Sequence, residues 1–163
     1  MTDESAAGEG AEAPSFDIVH QYIKDLSFEV PGAPQIFEGS APPEVTVNVD
    51  VGVSPAGEAG YEVALKIDTR GMAGGEPLFI VELVYAGLIR ASGIAQDQLQ
   101  SVLLIEGPRL LFPFARNVVA SLTRDGGLPP LMIAPIDFVA LFRNRMAKQQ
   151  AEAEANAGGD GDA

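Results

Sequence analysis

The sequence predicts an α+β domain in which a four-stranded antiparallel sheet comes first and the helices follow. Three observations lead to this prediction. Apolar and polar residues alternate with a period of two from Val45 to Val53, which is typical of a strand with one buried face. Glycine-rich turns separate several such segments. The helical patterns begin only near Gln96, so strands and helices are segregated along the chain.

Four strands are expected, beginning with Ile18–Val30. The next two, Val45–Val53 and Tyr61–Ile67, flank a turn-rich loop and should pair as a hairpin. Residues 71–75, GMAGG, then turn the chain into a fourth strand over PLFIVELVYAGLIRA, which is rich in β-branched and aromatic residues. Because short turns join consecutive strands, the sheet should be antiparallel.

A long kinked helix is predicted after the sheet. It begins near Gln96, and we expect a break or kink at Gly107 and Pro108, because proline cannot donate the helical hydrogen bond. The helix resumes over Leu110–Asp125 and should end at the pair Gly126 and Gly127, since glycine is the preferred residue just beyond a helix C-terminus.

An extended crossing loop and a C-terminal helix complete the predicted fold. The three prolines of LPPLMIAPI, residues 128–136, disfavour helix and keep this segment extended. Asp137 is a suitable N-cap for the last helix. Phe138 and Phe142 lie on one apolar face of that helix, which should end near Gln150.

Composition and charge indicate one domain with two acidic tails. The 163 residues and the 47% hydrophobic content suit one globular domain, which we assign to residues 15–150. Residues 1–14 and 151–163 each contain four acidic residues and no basic one, so both tails are predicted to be disordered. Nucleic acid is not an expected partner, because the ten basic residues form no stripe. A basic protein partner fits the net charge of -13.

Several function classes are not expected. The chain has no cysteine for disulfides or thiolate chemistry and one histidine, His20, which is typical of a boundary residue rather than a catalytic or metal ligand. We therefore assign no catalytic residue, no metal and no cofactor. No apolar run is close to the length of about 18 residues that a membrane helix needs, so no direct membrane insertion is expected. The acidic start does not fit a signal peptide, and the cytoplasm is the expected location.

Apolar residues surround the predicted helix between Leu110 and Leu122 on almost every side. Such a helix needs cover on two sides, and large apolar patches on soluble proteins usually mark interaction sites. One side can face the sheet, and the other should face a second subunit. The expected oligomer-interface residues are Leu110, Leu111, Phe114, Val118 and Leu122.

Asp25 and Glu29 should lie on the same face of the first strand, because residues four apart in a strand point the same way. One interpretation is an ordinary solvated sheet surface. Another is the carboxylate pair of a glycoside hydrolase, which would need a deep cleft around both acids.

Three segments resemble the SecB family of bacterial export chaperones. YIKDLSFEVPGAPQIF, residues 22–37, is similar to the YxKDxSFExPxxPxxF opening of that family. LFPFAR and GGLPPLMIAPIDFVALF are similar to its LFPYAR and GFPxLxLxPINFxxLY motifs. The resemblance covers roughly residues 16–148 and is far more specific than a short motif.

The resemblance implies an ATP-independent chaperone that holds unfolded secretory precursor proteins and delivers them to the SecA motor ATPase. It also implies a homotetramer, built as a dimer of dimers, in which the long helices are sandwiched between sheets. A chaperone of the same fold dedicated to a single partner, such as an antitoxin, is the alternative. A panel of unrelated unfolded precursors separates the two readings.

The resemblance also implies residue roles. Asp25 and Glu29 match acids that dock the basic C-terminal zinc-binding tail of SecA. Glu76 lies near a third acidic position, where the alignment offers Gly75 or Glu76. Apolar grooves between the sheet and the helical layer would hold the client. The expected groove residues are Ile36, Phe37, Leu88, Ile89, Leu128, Leu131, Ile133, Phe138 and Phe142.

Three positions depart from the family pattern. Ala41 replaces a common aromatic residue, Ile89 a frequent phenylalanine and Gly107 a common cysteine. Loss of one aromatic removes about 1.5–3 kcal/mol of local burial at most. We expect a shallower groove that still binds clients.

Overall fold

The computed structural model describes residues 12–39, 41–58 and 60–158. A short 3-10 helix, Gln35–Glu38, follows the first strand. The order of strands first and helices second confirms the predicted α+β class. The strands are β1 (Ser15–Glu29), β2 (Glu44–Pro55), β3 (Tyr61–Ala73) and β4 (Glu76–Ser92), and the helices are α1 (Gln96–Asp125) and α2 (Phe138–Ala157).

The four strands form one antiparallel sheet in the order β1-β4-β3-β2. The predicted hairpin is confirmed, since β2 pairs with β3 along its whole length. β1 pairs with β4, so the connection through the 3-10 helix passes from one edge of the sheet to the other. Strand β3 continues to Ala73. The turn predicted over residues 71–75 therefore narrows to Gly74 and Gly75, whose φ angles of 59° and 82° suit glycine.

The core lies between α1 and one face of the sheet, which we call the inner face. Alternate residues of β3 and β4 point to it, as the period of two requires. Burying each such large aliphatic side chain contributes about 1.5–3 kcal/mol. The opposite face of the sheet is the outer face. The main contributors to the core are Val63, Leu65, Ile67, Val81, Leu83, Leu103, Leu111 and Val119.

Of the predicted break or kink in the long helix, a break does not occur, because α1 continues through Gly107, Pro108 and Pro113. A Cβ added to Gly107 would lie 2.9 Å from both methyl groups of Val63, so the helix approaches β3 very closely there. The Pro108 side chain is fully buried. Burial of this apolar surface offsets the helical hydrogen bond that proline cannot make.

The end of α1 and the start of α2 lie where the sequence predicted them, but the end of α2 does not. Gly126 and Gly127 end α1, and the Asp137 Oδ1 atom accepts a 3.0 Å hydrogen bond from the Ala140 amide as an N-cap. Helix α2 does not end near Gln150 but runs to Ala157, because the alanine- and glutamate-rich segment 151–157 favours helix. That part of the predicted tail is therefore helical. Residues 1–11 and 159–163 of the two predicted tails lie outside the described residues.

Candidate functional site

Asp25 and Glu29 lie on the outer face of β1, as expected from their spacing. Asp25 is opposite Val84, and Glu29 is opposite Ile80. Successive residues of β4 point to opposite faces of the sheet. Val81 and Leu83 are buried on the inner face, so Ile80 and Val84 lie on the outer face, together with the two acids opposite them. Both acids are exposed. An open sheet face is not the deep cleft that the glycoside hydrolase interpretation requires.

The strand register adds Glu82 to these acids. Glu82 is directly opposite Ser27, which places it between Asp25 and Glu29 on the outer face. Asp68 of β3 is opposite Glu82 on the other side. We call Asp25, Glu29 and Glu82 the acidic surface. The sequence contained a signal that could have identified Glu82. It is the one charged residue in the run from Pro77 to Ile89, and a charged side chain in such a run is expected to face solvent.

Glu76 is not part of the acidic surface. It begins β4 opposite Ala73, four residues before Ile80, which corresponds to about 13 Å along a strand. Instead it lines an open pocket of ≈ 680 Å³ together with Ile36, Ala41 and Leu78. The sequence-based prediction therefore combined two places that the structure separates. Ala41, one of the departures from the family pattern, lines this pocket with a side chain of a single methyl group.

A polar network beside the acidic surface links β1 to β3. The Tyr22 hydroxyl donates a 2.5 Å hydrogen bond to Glu62 Oε2, and the Lys24 ammonium group lies 2.5 Å from Glu62 Oε1. The hydrogen bonds from Lys24 and then Tyr22 lower the pKa of Glu62 below its ordinary value. The same bond from Tyr22 raises the pKa of its own hydroxyl. The carboxylate is therefore held in its ionised form.

The crossing loop is fastened to the end of α1. The buried Thr123 hydroxyl accepts a 2.8 Å hydrogen bond from the Leu131 amide, and the Leu128 amide donates to the Thr123 carbonyl at 3.0 Å. A Cβ added to Gly127 would lie 3.2 Å from the Phe37 ring, so that ring lies against the turn that starts the loop. Phe37 and Met132 keep 52% and 58% of their surface exposed.

The structure divides the predicted groove residues into three groups. Ile89, Ile133 and Phe138 are buried in the core, with exposures of 0%, 5% and 2%, so they are not available to a client in this conformation. Leu88 lies on the opposite face of the sheet from Ile89, opposite His20 of β1, and is half-buried. The remaining candidates are half-buried or exposed near the 3-10 helix, the crossing loop and α2. These are Ile36, Phe37, Leu128, Leu131 and Phe142.

A second open pocket, of ≈ 370 Å³, lies between α2 and the edge strand β2. Val49, Leu104, Leu141 and Phe142 supply its apolar lining. At its rim the Arg145 guanidinium donates a hydrogen bond to the Val51 carbonyl, and the Val51 amide donates to Asp50 Oδ1 at 2.9 Å. The side chains of Arg145 and Asp50 therefore bind the carbonyl and the amide of Val51 at the sheet edge. Val49 and Leu141 were not among the predicted groove residues, although Leu141 lies within the GGLPPLMIAPIDFVALF segment.

The α1 residues predicted for an oligomer interface do not all remain accessible. Leu110 and Phe114 are 43% and 48% exposed, and the Phe114 ring stacks on Tyr85 with centroids 6.5 Å apart. Ile23, opposite Tyr85 on β1, is 47% exposed. Val118 and Leu122 are half-buried. Leu111, by contrast, has an exposure of 0% and belongs to the core of this chain, since it packs closely over Gly87.

Within residues 12–39, 41–58 and 60–158, neither helix has the length and apolar character that crossing a membrane requires. In the same ranges no three His, Asp or Glu side chains are grouped so that they could hold a metal ion.

Comparison with known proteins identifies the family. The family model described as preprotein translocase subunit SecB matches residues 9–149. The protein-export protein SecB of Rhodospirillum rubrum is 51% identical over 156 residues, which cover 95% of this chain and 96% of the relative. That of Afipia carboxidovorans is 49% identical over 151 residues, covering 91% and 94%.

The structural comparison agrees on the fold. A SecB-like chaperone of Mycobacterium tuberculosis, solved with a peptide from the HigA1 antitoxin, superimposes with a TM-score of 0.58. The match is 19% identical and covers 74% of this chain and 90% of that one. Sequence motifs, sheet topology and relatives over nearly the whole length therefore agree that the chain belongs to the SecB family of preprotein translocase subunits.

Proposed function

We propose that this chain is an ATP-independent chaperone that holds unfolded precursor proteins and delivers them to SecA for translocation. The export role follows from its family and from relatives named protein-export proteins. The detailed proposal rests on one observation. The same small domain has accessible apolar side chains around its crossing loop and an acidic surface on the outer face of its sheet. We place its action in the cytoplasm, where precursors are synthesised.

Client holding is assigned to the apolar residues around the crossing loop. Phe37 and Met132 each expose more than half of their surface. Leu128 and Leu131 of the crossing loop and Phe142 of α2 are half-buried. Removing apolar surface from water is favourable and makes little demand on sequence. An extended non-native segment can therefore bind here in many registers, and no nucleotide is needed to hold it.

Docking of SecA is assigned to the acidic surface. Its three carboxylates occupy neighbouring strands, with Glu82 between Asp25 and Glu29. A basic, zinc-binding tail of the motor protein is the complementary partner, and the zinc belongs to that tail. Charge complementarity of this kind increases association rates and weakens with salt.

Self-association into a homotetramer is assigned to α1 and β1. Leu110, Phe114 and Ile23 form a half-exposed apolar strip beside the Tyr85 ring. A strip of this kind fits an isologous interface, in which the same surface of two copies meets around a two-fold axis. Leu111 is left out of this interface, because it is buried in its own chain.

The client-holding proposal is tested with several unrelated unfolded precursors. The protein should suppress the aggregation of most of them without ATP, and Phe37→Ser with Met132→Ser should weaken this activity. Binding to a single partner and to no other precursor would favour the alternative, a chaperone dedicated to one protein. The similarity to the M. tuberculosis chaperone concerns the fold alone.

The docking proposal is tested with a zinc-loaded C-terminal tail peptide of SecA. Titration calorimetry at low salt should show that Glu82→Gln weakens binding by about five- to tenfold, as does Glu29→Gln. Glu76→Gln is the matched control, because it removes the same charge outside the acidic surface. Equal effects of Glu76→Gln and Glu82→Gln would contradict the assignment.

A further inference from the structure

Strand β1 contains one extra residue beside the acidic surface. Ile23 is opposite Tyr85, and Asp25 is opposite the next residue of β4, Val84. Lys24 therefore has no opposite residue and forms a β-bulge. A bulge changes the face on which the following residues lie. Tyr22 and Asp25 are three positions apart and would face opposite sides of a regular strand, yet here both lie on the outer face.

One carboxylate holds both sides of this bulge. Glu62 accepts the Tyr22 hydroxyl on one oxygen and the Lys24 ammonium group on the other, each at 2.5 Å. The two side chains reach Glu62 across β4. Ala86 stands between them, opposite Tyr22 on one side and Ala64 on the other. The short alanine side chain leaves space for this contact above the sheet.

The bulge determines the composition of the acidic surface. If β1 continued regularly past Tyr22, then Asp25 and Glu29 would point into the helical layer and Phe28 would point to solvent. We call the contacts of Tyr22 and Lys24 with Glu62 the clamp. The clamp also restrains the positive charge of Lys24, the immediate neighbour of Asp25, because Glu62 on β3 holds its ammonium group. Released from Glu62, the same ammonium group can approach the Asp25 carboxylate.

We infer that Glu62 is a positioning residue for the docking of the basic SecA tail. It fixes the bulge that turns Asp25 and Glu29 outward, and it keeps the Lys24 charge away from the acidic surface. The inference rests on the proposed docking function and deepens it, since Glu62 itself lies outside the acidic surface.

The test uses the full chain and the zinc-loaded tail peptide of SecA. Glu62→Gln should weaken peptide binding by about fivefold and accelerate amide hydrogen exchange in residues 24–29. Adding Lys24→Met to Glu62→Gln should restore part of the affinity, because the released cation is gone, while the fast exchange remains. Suppression of client aggregation should be unchanged. The matched control is Glu58→Gln, which removes one exposed negative charge before β3 and should alter neither measurement.

The outcomes separate this inference from the docking proposal. Unchanged affinity in Glu62→Gln, or a loss no larger than that of Glu58→Gln with unaltered exchange, overturns the inference. The docking proposal then still stands if Asp25→Asn and Glu29→Gln abolish binding. If that pair also leaves the affinity unchanged, both proposals fail. Should Glu62→Gln fail to fold, Tyr22→Phe breaks half of the clamp at constant charge and should cost about twofold in affinity. An unaltered affinity there would equally contradict the inference.

Discussion

The Thr123 hydroxyl accepts a 2.8 Å hydrogen bond from the Leu131 amide, which joins the end of α1 to the crossing loop. Thr123 is fully buried, and its hydroxyl in turn donates to the carbonyl of Val119 or Ala120. The loop carries several of the apolar residues assigned to client holding. One buried side chain therefore fixes the position of a candidate binding surface.

Replacing Thr123 with Val should release the crossing loop. Valine has nearly the same shape but leaves the Leu131 amide without its partner, at a cost of about 1–3 kcal/mol in the free energy of unfolding. Amide hydrogen exchange at Leu131 should accelerate. Thr123→Ser keeps the hydroxyl and should preserve the protection of that amide. Equal exchange rates in the Val and Ser variants would show that the hydroxyl does not hold the loop.

Polar substitutions in the apolar strip should reduce the size of the assembly. Leu110 and Phe114 are each nearly half exposed in the single chain, and covering the exposed half contributes about 0.7–1.5 kcal/mol apiece. The double variant Leu110→Ser, Phe114→Ser should shift the native mass from tetramer to smaller species. Val45→Ser is the control, because Val45 is 40% exposed on the far edge strand. A wild-type chain that is itself monomeric would contradict the interface.

Adding a methyl group at Gly107 should destabilise the protein. Glycine to alanine within a helix normally gains about 0.5–1 kcal/mol. Here the new Cβ would lie 2.9 Å from both Val63 methyl groups and 3.3 Å from Ile89 Cδ1, so overpacking should cost about 1–3 kcal/mol instead. Gly52→Ala is the control, because its Cβ would meet no atom within 4 Å. Urea unfolding measures both, and a gain for Gly107→Ala would refute the close approach.

Acid should remove the contribution of Glu62 to stability. Its pKa is lowered from 4.5 by the hydrogen bonds from Lys24 and Tyr22, so the folded state favours the ionised carboxylate. That contribution is complete above the ordinary pKa and is lost as the pH falls through the lowered value. Because the Lys24 side chain is 52% exposed, Glu62→Gln should cost only about 0.5–1 kcal/mol near neutral pH.

The measurement for Glu62 is urea unfolding of the wild type and Glu62→Gln at several pH values and low salt. The difference in the free energy of unfolding should shrink as the pH is lowered from about 6 towards 3. Glu58→Gln should show no comparable convergence. A difference that stays constant or grows on acidification would mean that the carboxylate is not stabilised by ionisation.

Local signals in the sequence determined the fold class and most element ends. The alternation from Val45 to Val53 marks a strand wherever that strand is packed, because each side chain alternates with a fixed period. Gly126, Gly127 and the Asp137 cap end or begin helices through bonds to their immediate neighbours. Such features need no knowledge of distant residues, so they were predictable. The SecB motifs added the family and the expectation of an acidic docking surface.

The tertiary structure decided which residues come together. Glu82 joins Asp25 and Glu29 through the register between β4 and β1. Glu76, which the family resemblance put near a third acidic position, instead lines a pocket outside the acidic surface. Pro108 stays within a continuous helix, where its side chain is fully buried. Register and burial depend on residues far apart in the chain, whose contact energies are absent from any local pattern. A sequence therefore specifies elements and chemistry, while packing selects which side chains face a partner.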